Sequence, residues 1–293
     1  MIVLTGERRG AETRDVYSIL EICDISTGQR KIIKEFDCLI EAPNWRKTRN
    51  ELVYNSGGRI YRIDLESGEI LPVDSGYCDQ CNNDHVLSPD DRSIAVSHHT
   101  YEDGESRIYV VPIDGGCPEL ITPIAPSYLH GWSPDGEQFA YCAERNGEYD
   151  IYTVPTKGGI EKQLTDVAGL NDGSEYSPDG KTIWFNSVRS GLMQIWKMDA
   201  DGQNQVRVTQ NERNNWFAHV SPDGKKVIYI SYKKGDVEPG SHPANKNVEI
   251  HLMDPDGSHD QVLLELFGGQ GTLNVNSWSP DSQKFAFVSY RLK

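Results

Sequence analysis

No run in the 293 residues approaches the roughly 18–20 consecutive apolar residues that a membrane-spanning helix needs. No membrane insertion is therefore expected. Met1-Ile2-Val3-Leu4 is cut short by Thr5-Gly6-Glu7-Arg8-Arg9, too brief an apolar stretch for a signal peptide, so the expected location is cytoplasmic. Positive charge is scarce as well: 29 Lys and Arg stand against 44 Asp and Glu, a formal charge of −15. Nucleic-acid binding draws on clustered positive charge, so no nucleic-acid partner is expected and the acidity reads mainly as solubility. Six cysteines, at positions 23, 38, 78, 81, 117 and 142, are too sparse for a disulfide scaffold. Cys78-Asp79-Gln80-Cys81 has a spacing that can hold a metal or a redox disulfide, but it lacks a second pair or a following helix, and reduced loop thiols are the expectation. The glycine pairs Gly57-Gly58, Gly115-Gly116 and Gly158-Gly159 have no phosphate-loop context, and nothing resembles the Gly-x-Ser-x-Gly elbow of a serine hydrolase.

What is present is a ruler. Ser-Pro-Asp-Gly stands at 133–136, 177–180 and 221–224, with Ser-Pro-Asp-Asp at 88–91 and Ser-Pro-Asp-Ser at 279–282. Trp45-Arg46-Lys47-Thr48-Arg49-Asn50 occupies the place of a first copy. The steps from Arg46 through Ser88, Ser133, Ser177, Ser221 and Ser279 are 42, 45, 44, 44 and 58 residues. A period near 44 marks a β-propeller blade. Each repeat follows one script, clearest in the third: a polar segment (Tyr128–Trp132), the turn, an apolar strand (Gln138–Ala143), a polar loop, a strand (Asp150–Val154), a Gly turn and a short strand ending Gln163-Leu164-Thr165. That is a four-stranded meander, A to D. In the A–B turn, proline pre-sets φ, aspartate bonds local backbone and glycine takes the left-handed conformation.

The termini predict closure. The last turn is followed by a single strand, Phe285–Tyr290, while Tyr17–Asp24, Ser26-Thr27-Gly28 and Arg30–Phe36 match the C–turn–D script of Arg59–Asp64, Glu66-Ser67-Gly68 and Ile70–Val73. The fold class is therefore all-β, a six-bladed propeller forming one domain over 1–293, with blade six built from about 274–293 plus about 16–36. Closing the ring removes exposed sheet edges.

Trp132-Ser133-Pro134-Asp135-Gly136 before an apolar strand, then Asp150-Ile151-Tyr152, Asp114-Gly115-Gly116 and Leu164-Thr165, together resemble the repeats of TolB-like β-propellers. Related propellers occur in oligogalacturonate lyase and in prolyl oligopeptidase-like proteases. The likeness runs over essentially the whole chain. It is specific for the fold and far less so for function. With the 293 residues filled by six blades, neither the signal peptide and N-terminal α/β domain of periplasmic TolB nor the hydrolase domain of the proteases is expected here.

In such a blade the A strand lines the central channel, and the D–A and B–C loops share one rim. The polar residues that depart from the repeat gather on that rim. Asp84, His85, His130, Asp172, Glu175, Trp216, His219, Asn274 and Asn276 stand at A-strand starts, and His98, His99, Tyr101, Arg189, Tyr232 and Tyr290 stand in or beside B–C loops. The 58-residue step places an insertion at Lys233–Asn247, carrying His242 and Lys246, that suits a lid. Clustered loops on a rigid scaffold suit a site, with His85, His130, Glu175, Trp216, His219 and His242 as candidate ligand-binding residues.

Two functions compete. One is a binding module whose rim grips a protein partner or a small polar or carbohydrate ligand, with Trp216 and Phe217 as exposed anchors. The other, implied by the likeness to oligogalacturonate lyase, is a metal-dependent uronate lyase. In it His85, His130, Glu175 and His219 would hold a divalent metal, Arg189 would clamp a carboxylate, and Tyr232 or Lys246 would act as base. The registers conflict with that set: His85 and His130 lie three residues before their turn serines, Glu175 and His219 two. Neighbouring strand positions face opposite ways, so only bulges or irregular strand starts would let all four converge.

Overall fold

At every Ser-Pro-Asp turn the serine is a hub. Its hydroxyl donates to the aspartate two residues on, at 2.6–2.7 Å, and accepts the backbone N–H five residues on, at 2.9–3.0 Å, from Ser88 round to Ser279. The next position is left-handed, with φ of 81° at Gly136. Asp91 and Ser282 adopt the same conformation without being glycine, and each is engaged from a neighbouring blade. Ser282 accepts the Asp223 backbone N–H of blade five.

Arg46, in the serine's place in blade one, uses a different device. Its buried guanidinium reaches across to the blade-two turn, donating to both carboxylate oxygens and the carbonyl of Asp91, and also pairs with Glu51 at 2.7 Å. The odd turn in the repeat is thus a strut between blades.

The computed structural model describes residues 16–293; the leader reading of Met1–Arg9 lies outside them. Six antiparallel sheets follow the expected script. Blade one is Glu41–Trp45, Glu51–Ser56, Arg59–Asp64 and Ile70–Pro72. Blade three is Ser127–Trp132, Gln138–Arg145, Glu148–Pro155 and Lys162–Gln163, and blades two and four are built alike. Blade five is Arg213–Val220, Val227–Lys233, Lys246–Met253 and Gln261–Gly268. In blade six Val16–Asp24 pairs residue for residue with Lys284–Leu292, and Arg30–Phe36 forms the outer edge. Behind this seam Val16, Leu20 and Ile22 pack with Ala286 and Val288 against Ile40, Leu52 and Tyr54 of blade one, burying the joint between first and last blades.

The sixth inner strand departs from the script. Instead of a regular ladder, the chain makes a short 3-10 turn, Gln270–Thr272, and touches the next strand through one bridge, Trp278 to Phe285. Its amides bond outward instead: Asn274 to Asp84 of blade two, and Asn276 to Glu175 of blade four. Competition from these side chains for position explains why the backbone does not settle into register.

The inner strands of blades one to five all carry a register shift, between Glu41 and Asn44, Cys81 and His85, Leu129 and Gly131, Asp172 and Glu175, and Trp216 and His219. The inner strand gains one residue at each shift, two in blade two, and the added residues re-aim the side chains beside them. These are the irregularities that the conflicting registers required.

Removing the strut tests its role. Arg46→Met removes the buried cation and leaves Asp91 held only by the Thr48 amide and hydroxyl, and the expected loss is about 3 kcal/mol of unfolding free energy in urea titrations, with Arg46→Lys recovering little because an ammonium lacks the fork. A loss no larger than that of an exposed ion pair would show the strut to be incidental.

Candidate functional site

The bulges bring the candidate residues to the channel in three separate groups. The first is a knot that stitches the channel. His219 and Glu175 lie 2.6 Å apart through Nδ1 and Oε2, and the other ring nitrogen of His219 faces the Leu273 carbonyl at 3.1 Å. Glu175 Oε1 accepts from Asn276 and from the Val220 backbone N–H. Both side chains have their hydrogen-bonding atoms engaged by neighbours, and together they hold the irregular blade-six segment.

The second group lies under the insertion. Asp172 is approached by two imidazoles, His130 Nε2 at 2.9 Å and His242 Nε2 at 3.8 Å. His242 projects from the insertion onto an aromatic floor, its ring 4.2 Å from Trp216 and 5.3 Å from Phe217, and His130 stacks on Phe217 from another side. Phe217 sits in the bulge with φ 53°, its N–H bound by Asn186 Oδ1, which presents the ring to the channel. Burial opposes charge on His130, but Asp172 and Asp84 outweigh it and raise its pKa above the usual histidine value. Burial likewise opposes charge on Asp172, and the His130 imidazolium reverses this and keeps the carboxyl below its usual range. For His242 burial wins over Asp172 and Asp84, and its pKa is lowered. These directions favour an ion pair of His130 with Asp172 and an uncharged His242 above it. The Nδ1 atoms of both imidazoles are buried without a hydrogen-bond partner.

The third group is His85 alone. Its ring nitrogens face the Ala42 and Val53 backbone without reaching hydrogen-bond geometry, and burial pushes its pKa down to about 4. The four residues read as a metal set, His85, His130, Glu175 and His219, thus occupy three environments. Among the described residues no group of three or more His, Cys, Asp or Glu is arranged to hold a metal ion.

Other expectations are corrected. Trp216 and Phe217, read as exposed anchors, are buried, because His242 and the blade-five core cover them. Tyr232 has no exposed surface, and its hydroxyl donates to the Pro243 carbonyl. Burial raises its pKa, so it tethers the insertion and is unsuited to act as a base. Arg189 spends its fork on Ser187, Gln205 and Asn171 while stacking over Trp196 and Phe185. Lys246 opens the C strand at the foot of the insertion. Cys78 and Cys81 are free thiols, buried rather than lying open in a loop, and burial pushes Cys78 up to about 12. Asp172, the hinge of the second group, stood on the rim in the sequence but was not singled out. Its signal was position, three residues before Glu175 with the bulge glycine, Gly173, between them.

A closed ring of six repeats, five of them four-stranded and the sixth with an irregular inner segment, its polar irregularities turned to one end of the axis, defines a six-bladed β-propeller with a capped channel mouth. Residues 86–242 match the family model described as the TolB beta propeller domain. An uncharacterized protein of Agrobacterium fabrum is 45% identical over 275 residues, covering 93% of this chain and 92% of its own. The chain belongs to the TolB β-propeller family. A solved structure from Agrobacterium tumefaciens, named only provisionally as TolB, is 44% identical with a TM-score of 0.91, covering 95% of this chain and 99% of that one. TolB from Acinetobacter baumannii, at 20% identity and a TM-score of 0.65, covers 82% of this chain and 61% of its own. Oligogalacturonate lyase in complex with manganese, at 16% identity and a TM-score of 0.53 over 85% of this chain and 72% of that one, shares the fold alone.

Two outcomes follow. Histidine in an unfolded chain titrates near 6.5, so with a folded value of about 4 His85 binds fewer protons folded than unfolded across that window, and stability falls as pH drops through it. Wild type is expected to lose about 3 kcal/mol more than His85→Leu between pH 7 and pH 4 in urea titrations, and equal slopes would refute the assignment. Tyr232→Phe releases the insertion from its tether and should speed proteolytic cleavage within 234–245 several-fold. Cleavage at the wild-type rate would mean that the Pro243 contact holds nothing.

Proposed function

We propose that the protein is a binding propeller that takes its ligand at the channel mouth on the D–A and B–C rim. One observation carries the reading: an ion-paired carboxylate and two imidazoles with unpartnered nitrogens sit over an aromatic floor, beneath a single loop that is the only insertion in the repeat. Displacing His242 would uncover Trp216 and Phe217, giving flat apolar surface beside a charged hydrogen-bonding pair, the combination that makes a recognition hot spot. Protein interaction is the role of TolB-like propellers, and a protein segment is the favoured ligand. The lyase alternative has less support, since its likeness is one of fold and its candidate ligands fall into separate groups.

A thermal-shift panel separates the two readings. Peptide pools and oligogalacturonates, each with and without manganese, are screened against wild type and Asp172→Asn. A ligand near a hundred times its Kd adds about 2.7 kcal/mol and should raise the wild-type midpoint by several degrees. The expected result is a shift with one or more peptides that is lost in Asp172→Asn. A shift that persists in the variant moves the site elsewhere, and an unsaturated uronate product formed only with manganese would establish the lyase instead.

A further inference from the structure

Away from the channel, blade two carries an aromatic platform that the mouth does not use. Tyr77, in the loop leading into blade two, is 53% exposed, and Tyr101, in its B–C loop, is 67% exposed. Both rings pack edge-on against the buried His98, with centroids 6.5 and 6.4 Å away, and Tyr77 also meets Tyr109. Scattered exposed aromatics need no explanation, but these two are pinned. The Tyr101 hydroxyl donates to Asp79 at 2.6 Å, and the Tyr77 hydroxyl donates to the Pro118 carbonyl at 3.3 Å. Rings already fixed lose little conformational entropy when covered, the property that makes tyrosine an effective contact residue.

The surroundings are acidic. Glu102 and Glu105 are exposed in the same B–C loop as Tyr101, Asp79 pairs with Arg59, and Asp103 pairs with Arg107. Asp79, bonded to Tyr101, and Glu102 act on the central His98, and the two guanidiniums nearby, Arg59 and Arg107, are already paired. Burial lowers the pKa of His98, which keeps the central ring from adding positive charge near neutrality.

We propose that this platform on blade two docks an extended, arginine-containing segment of a partner protein. A guanidinium stacks on a tyrosine face and at the same time forks to a carboxylate, and Tyr77 and Tyr101 beside Asp79 and Glu102 offer both. A second copy of this chain fits poorly, because a formal charge of −15 repels itself and the platform is itself acidic. The surface is independent of Asp172 and His242, so it stands or falls apart from the channel mouth.

The test uses a fluorescein-labelled octapeptide of alternating Arg and Gly, with a Glu–Gly peptide as control, followed by anisotropy at moderate salt. The full-length protein should bind the Arg peptide and not the Glu peptide. Tyr77→Ala with Tyr101→Ala should weaken binding about tenfold with the thermal midpoint unchanged. Glu102→Gln with Glu105→Gln should weaken it several-fold, while Asp199→Asn with Asp201→Asn, which removes the same charge on the opposite rim, should not. Tyr77→Phe alone should retain most of the affinity, since the ring face remains. Binding unaffected by the tyrosine pair, or weakened equally by the distal pair, would reduce the effect to net charge and overturn the proposal. So would loss of peptide binding in Asp172→Asn alone, which would assign the peptide to the mouth. A dimer that dissociates on tyrosine replacement, or neutral oligosaccharide binding that replaces the peptide, would overturn it as well.

Discussion

The structure depends on closing a ring. An open array of five sheets and two half-sheets would leave long unpaired strand edges at both ends, and the pairing of Val16–Asp24 with Lys284–Leu292 removes them in one step. The joint is both apolar and specific. Leu20 and Val288 are sealed in it, while Glu21 accepts from Ser289 and pairs with Arg30 on the outer strand. With the ring closed, every inner strand is held at a set distance from the axis, and only then do residues more than a hundred positions apart in sequence become neighbours, as Asn276 and Glu175 do.

The axis is where packing and polarity meet. Asp84, Asp172 and Glu175 are largely buried there, and none is offset by lysine or arginine. They are satisfied by asparagine amides, backbone N–H groups and histidine. A buried carboxylate is costly unless its oxygens are bonded, and short neutral donors reach into a narrow channel where long basic side chains would not fit. The irregular blade-six segment supplies many of these donors, giving up its own ladder to do so. The bulges in the other inner strands have the same origin, because a regular pleat would turn every second polar group into the apolar layer between blades.

The two ends of the ring carry different kinds of information. One end is filled by Ser–Asp turns whose internal hydrogen bonds repeat from blade to blade, with Arg46 substituting a strut where the serine is missing. Their side chains are consumed in holding the hairpins. At the other end loop length and composition vary, and there the insertion lies over His130 and Asp172 and the tyrosines stand out from blade two. Recognition has room only where the scaffold has released its side chains.

The sequence by itself determined the architecture, because the turn period, the strand script and the split blade are local patterns that each repeat states independently. It also located the rim, since counting back from each turn leads to the channel. It did not determine which rim residues meet. Four residues read as one metal set divide into a knot, a capped ion pair and an isolated histidine, because a single bulge redirects a side chain by about half a turn and no local pattern marks its position. Trp216 and Phe217 read as exposed because nothing near them in the chain covers them; the cover is His242, some 25 residues on, folded back over the mouth. Contacts set by periodicity are written in the chain. Contacts set by bulges and by a loop returning across the axis exist only once the ring has closed.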